Sequence, residues 1–197
     1  MAKGELKNVF LSASVPFEDR HPKYFESADI IAIRDAVIAL VTAVLPKHRL
    51  IWGGHPSITP IIYYVMELLG LNVQEHVVLY QSKFFEHLFP EDNNRFKNVI
   101  LTEKQHDLQS SINLMRERMF SENFFSAGVF IGGMEGIEDE YKSYTSLFPK
   151  SVILPIASTG AAAKIVFENL PIELREDRLV NDYGYMSVFQ DLLLSKI

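Results

Sequence analysis

Ala127-Gly-Val-Phe-Ile-Gly-Gly-Met-Glu-Gly-Ile-Glu-Asp-Glu140 is the stretch from which the fold can be read. Ala127 to Ile131 is a short, unbroken apolar run, the pattern of a strand buried on both faces. Two glycines end it. Glu135, Glu138, Asp139 and Glu140 follow where a helix would begin, and that end of a helix favours negative charge. Strand, glycine turn and helix in succession form the repeating unit of an α/β protein.

The unit recurs along the chain. Arg49 to Trp52 reads as a strand running into Gly53-Gly54-His55-Pro56-Ser57. A helix follows to Leu69, with Thr59 as N-cap, Pro60 at the first helical position and Gly70 at the C-terminus. Asn8 to Ser14 predicts the first strand, Val77 to Tyr80 the third, Asn98 to Thr102 the fourth and Ser151 to Leu154 the sixth. Helical spacing of apolar residues covers Ser27 to Leu45, Asp107 to Phe120, the segment after Gly133 to Leu147, and Ser158 to Leu170. A last helix covers Tyr185 to Leu194, within 182–195. Pro16 to Lys23 reads as a loop, and the Phe-rich connection holding Phe84, Phe85, Phe89 and Phe96 as a short helix or surface excursion. Neither a linker nor a repeat divides the chain. The expectation is one domain over 1–197: an α/β, Rossmann-like three-layer α/β/α fold with a mainly parallel sheet of about six strands.

Composition narrows the function. The 197 residues carry 19 Lys and Arg against 25 Asp and Glu, a net charge of −6, without a block of basic residues. That disfavours a nucleic-acid partner. The absence of Cys excludes a disulfide scaffold, a thiolate metal site and a cysteine nucleophile. Ala36 to Leu45 is too short for a bilayer, which needs about 20 apolar residues, and the N-terminus lacks an apolar signal core. A cytoplasmic protein with no membrane partner is expected. GxGxxG, the P-loop, GxSxG and HExxH are all missing. His48, His76, His87 and His106 lack metal-ligand spacing. Neither a metal nor a cofactor is expected.

The informative residues lie where strands meet helices. A parallel sheet puts every strand's C-terminal end on one rim, where ligands bind in such folds. Gly53 and Gly54, Gly132, Gly133 and Gly136, and Ser158-Thr159-Gly160 fall at three such junctions, with Ser12 and Ser14 at the end of the first strand. Each glycine pair alone is as well explained by a tight turn. Together, the junctions could present backbone amides to a ligand's phosphate. His55 sits in one junction as a ligand contact or a loop cap. Glu135 and Glu140 suit ribose hydroxyls better than phosphate, or one of the carboxylates could serve as a general acid or base. The Met and Phe residues read mostly as core.

The order of Ser12-Ala-Ser14, Leu50 to Pro60, Met115 to Met119, Ala127 to Tyr141 and Ser151 to Gly160 resembles the SLOG superfamily. This Rossmann-like group includes LOG-type phosphoribohydrolases and DprA-type DNA-processing proteins. The resemblance runs from Val9 to Phe167 and leaves the C-terminal helix outside. LOG-type enzymes carry PGGxGTxxE and an upstream arginine. Here Ile131 stands at the proline, Gly132 and Gly133 at the glycine pair, Gly136 at the third glycine after one extra residue, and Ile137 at the threonine. The glutamate falls on Glu140 and the arginine on Arg116, with Arg118 the neighbouring alternative. The resemblance is nearer to divergent members of bacterial conflict systems, which implies a sensor of a nucleotide, NAD metabolite or ADP-ribose-type ligand. It also implies a homodimer or higher homo-oligomer and a separate effector. The enzymatic alternative is cleavage of a nucleoside monophosphate's N-glycosidic bond by Glu140 and Arg116. A third reading is a self-associating interaction protein with an empty pocket.

Overall fold

The computed structural model describes residues 6–19, 22–70 and 73–197. Residues 1–5, where no signal core is expected, and residues 20 and 21 of the expected Pro16–Lys23 loop lie outside the described residues.

Alternation of strands and helices gives six strands: β1 (Asn8–Ser14), β2 (Arg49–Trp52), β3 (Val77–Ser82), β4 (Val99–Thr102), β5 (Ala127–Gly132) and β6 (Val152–Ile156). They form one sheet in the order β4-β3-β2-β1-β5-β6, and every pairing is parallel. Progression runs outward from β1 to β4, then restarts on the other side of β1 with β5. The strand order reverses between β1 and β5, and doubly wound sheets take ligands at the rim near such a reversal.

The helices are α1 (Pro22–Phe25), α2 (Ile30–Val44), α3 (Thr59–Leu69), α4 (Leu108–Ser121), α5 (Glu135–Leu147), α6 (Ala161–Glu168), α7 (Arg178–Asn181) and α8 (Tyr185–Phe189). The β1 side chains show how the layers divide. Val9 and Leu11 enter the core shared with α2, α3 and α8, whereas Phe10 enters the one shared with α4 and α5. On that second side Phe10 stacks on Tyr144 at 5.3 Å and meets the edge of Phe120 at 5.1 Å. Such pairs contribute about 0.5–1.5 kcal/mol each beyond burial. Gly128 makes the stack fit, since a Cβ there would lie 2.7 Å from the Tyr144 ring.

Local chemistry sets the helix ends. Asp29 caps α2 by accepting from the Ala32 amide, and Asp107 caps α4 by accepting from that of Ser110. Gly70 ends α3 at φ 56°. Thr59 is the first residue of α3 rather than its cap, because its hydroxyl accepts from Trp52 Nε1 at 3.4 Å.

Two segments depart from the expected pattern. The end of the Pro16–Lys23 loop turns helical as α1. The expected helix from Ser158 to Leu170 is a 3₁₀ turn, Ala157–Thr159, followed by α6. Gly160 separates them at φ 70°, packed so closely that a Cβ would sit 1.7 Å from the Ser27 carbonyl oxygen. The Phe-rich connection forms two 3₁₀ segments, Lys83–Leu88 and Glu91–Arg95. At the C-terminus α8 continues as a π-helical turn, Gln190–Leu194, and Val188, Phe189 and Leu193 are buried in the α2 core. Among the described residues no helix is long and apolar enough to cross a membrane.

Candidate functional site

A cavity of about 430 Å³ opens at the C-terminal rim of the sheet, within the range of about 300–1,000 Å³ typical of small-molecule sites. Its polar side comes from the end of β1 and the start of α5, where Ser12, Ser14, Glu135, Gly136, Asp139 and Glu140 meet Arg116 of α4. Gly53, Gly54 and His55 contribute the β2–α3 turn. Its apolar lining is drawn from the connection after β3 (Phe85, Leu88, Phe89) and from α4 (Leu108, Ile112, Met115).

Glu140 is the hub of the polar side. Its Oε2 accepts from the Ser12 hydroxyl at 2.5 Å and its Oε1 from Arg116 Nε at 3.0 Å. Arg116 also donates from Nη2 to the Gly136 carbonyl at 3.0 Å, and its Nη1 lies 4.0 Å from Asp139. The Arg116 and Glu140 side chains keep only 13% and 15% of their exposure, so the pair is mostly withdrawn from solvent screening. Glycine at 136 makes the approach feasible, because a Cβ would lie 3.2 Å from Arg116 Nη2. Arg118 turns away, pairing with Glu122 at 2.6 Å and donating to the Leu101 carbonyl. Glu138 accepts from the Tyr24 hydroxyl and from Lys23. Burial first, and then the bond to Glu138, raises the Tyr24 hydroxyl above its ordinary range.

The glycine junctions divide into two groups. Gly53, Gly54, His55 and Gly136 border the cavity. Gly132 and Gly133 shape the turn behind it, at φ 58° and 80°. The Gly132 amide donates to Thr159 Oγ1 and that of Gly133 to the Ser14 carbonyl. Ser158, Thr159 and Gly160 also lie outside the cavity lining. Ser158 shares a hydrogen bond with the Tyr185 hydroxyl at 3.1 Å, and Thr159 donates to the Ile156 carbonyl. The first amides of α6 have protein partners too, Ala161 donating to Ser27 Oγ and Ala162 to the Gly133 carbonyl. The third junction therefore joins β5, β6 and α6 to one another.

Sequence reasoning missed the apolar wall. Phe85 and Phe89 line the cavity, as do Met115 and Met134, which are also buried in the core as read. It also missed Gln81 and Ser82, because β3 extends two residues past its apolar run. The rim rule that selected Ser12 and Ser14 on β1 applies equally to the end of β3 and could have found them. Among the described residues no group of three or more His, Asp or Glu could hold a metal ion.

A family model, the SLOG cluster3 family, matches residues 23–193. The chain belongs to the SLOG cluster3 family. The match includes the β2–α3 turn, the Arg116–Glu140 pair and most of the C-terminal helical segment, and begins after β1, which carries Ser12 and Ser14. No curated protein matches the chain significantly. SLOG membership points to a nucleotide-related ligand-binding or LOG-like role.

Proposed function

We propose that this SLOG protein binds a nucleotide-derived small molecule (a nucleotide, an NAD metabolite or an ADP-ribose-type compound) in the rim cavity, as a sensor in a bacterial defence system. The observation that carries the reading is the convergence of Ser12, Arg116 and Glu140 from β1, α4 and α5 on one cavity. A carboxylate held by a hydroxyl and a guanidinium is a fixed acceptor. A ribose diol can replace the Ser12 hydroxyl there without leaving a buried charge unpaired. In this reading the protein is a cytoplasmic homo-oligomer that passes ligand occupancy to a separate effector.

The Arg116–Glu140 contact also favours a second reading, hydrolysis of a nucleoside monophosphate. Water would add to the anomeric carbon while the N-glycosidic bond breaks, and the base would leave with a proton. Glu140 would steer the water and offset the developing oxocarbenium charge, and Arg116 would position the phosphate.

The test is incubation of pure protein with nucleoside monophosphates, NAD and ADP-ribose, followed by thermal shift and by chromatography of the mixture. A stabilising shift with intact ligand supports the sensor. Free base that vanishes in Glu140→Gln supports the hydrolase. Silence across the panel defeats both readings.

A further inference from the structure

Gln81 lies at the end of β3 and is only 4% exposed, yet it borders the cavity. Its Oε1 accepts from Asn93 Nδ2 at 2.7 Å, which orients the carboxamide. Its Nε2 donates to no protein atom among the described residues and is not completely buried. The amide therefore meets open space. Glycine at 54 is what lets the side chain lie there, since a Cβ would come within 2.8 Å of Gln81 Cγ and Nε2. Asn93 is 6% exposed and leaves its own Oδ1 buried without a partner, an arrangement an ordinary core avoids.

We infer that the apolar half of the cavity is a nucleobase subsite in which Gln81 reads the edge of the heterocycle. This rests on the reading of the cavity as a nucleotide site. Ribose and phosphate are polar and match the side held by Ser12, Arg116 and Glu140. The base is the flat, weakly polar part, and Phe85 and Phe89 bring to the cavity lining the aromatic side chains on which bases stack. Stacking does not distinguish bases; a carboxamide held in one orientation does. The Gln81 NH₂ group donates to a ring nitrogen or carbonyl oxygen at the base edge, so the preferred base presents an acceptor there.

The test titrates wild type, Gln81→Glu and Gln81→Ala with AMP, GMP, CMP, UMP and ADP-ribose by calorimetry, alongside thermal melts without ligand. Gln81→Glu keeps the shape and the bond from Asn93 but replaces the NH₂ group with oxygen, so it carries the test if Gln81→Ala does not fold. The expected result is a base preference in wild type that is flattened or reordered in the variants, with about tenfold loss for the preferred base. A ranking that survives unchanged, with all affinities falling together, overturns the inference, as does a wild type that binds every base equally. If no compound binds wild type, the nucleotide reading itself fails.

Discussion

Ser12 at the end of β1 donates its hydroxyl to the Glu140 carboxylate of α5 across 2.5 Å, although 128 positions separate the two in the chain. The bond spans the point where strand order reverses, so it is the sheet topology that creates it. Arg116 arrives from α4, which follows the far edge strand. The polar side of the cavity thus depends on three crossovers meeting at one rim.

Removing either partner of the ion pair has separable effects. Arg116→Ala leaves Glu140 with Ser12 and a mostly buried charge, and stability should fall by about 1–3 kcal/mol. Urea denaturation measures it. Glu140→Gln keeps the shape and most hydrogen bonding, so stability should change less while nucleotide affinity falls about tenfold or more.

Gly136→Ala should part stability from binding. Alanine favours a helix over glycine by about 1 kcal/mol, which offsets part of any local crowding. The added methyl would press on Arg116 Nη2 at 3.2 Å. Thermal stability near that of wild type, with a several-fold loss in nucleotide affinity, is the expected outcome; unchanged affinity would remove the guanidinium from the site.

Two left-handed glycines should respond unequally to alanine. At Gly70 the new Cβ meets nothing within 4 Å, so only backbone strain remains, about 1 kcal/mol. At Gly160, φ 70° and ψ −155° fall in a region nearly restricted to glycine, a collision with the Ser27 backbone is added, and a loss of about 3 kcal/mol or more is expected. Equal effects in parallel urea melts would show that the contact with Ser27 relaxes without cost.

His48 gives the protein an acid-sensitive element. Burial, helped by Lys47 and Lys7, lowers its pKa below the ordinary value, and its Nδ1 is buried without a partner. Folding therefore favours the neutral ring. That contribution is complete above about pH 6.5 and is lost as the pH falls through the lower folded value. The melting temperature of wild type should drop between pH 7.5 and 5.5, and His48→Gln should reduce the difference.

The strands were legible because a parallel sheet buries both faces and writes continuous apolar runs such as Ala127 to Ile131. Helix ends were legible where the cause is local, as with the Asp107 side-chain cap and the left-handed backbone of Gly70. The break at Gly160 was hidden, because its cause is the Ser27 backbone, remote in the chain. The Phe-rich connection was legible as a short helix or excursion, but the place of Phe85 and Phe89 at a cavity was not, because an apolar residue looks alike in sequence whether it faces a core or a cavity.

Periodicity, composition and turn chemistry act over a few residues, so the sequence by itself determined the order of the six strands and of the longer helices and the parallel α/β class. Which rim residues share a cavity was decided by the tertiary structure. Ser158 to Gly160 are engaged with Tyr185, Gly132 and Ile156, and Gln81, Phe85 and Phe89 stand in the opening. The physical reason is that a hydroxyl or amide is available to a ligand only after the fold has distributed its protein partners, and some of those partners, such as Tyr185 and Gly132, are remote in the chain.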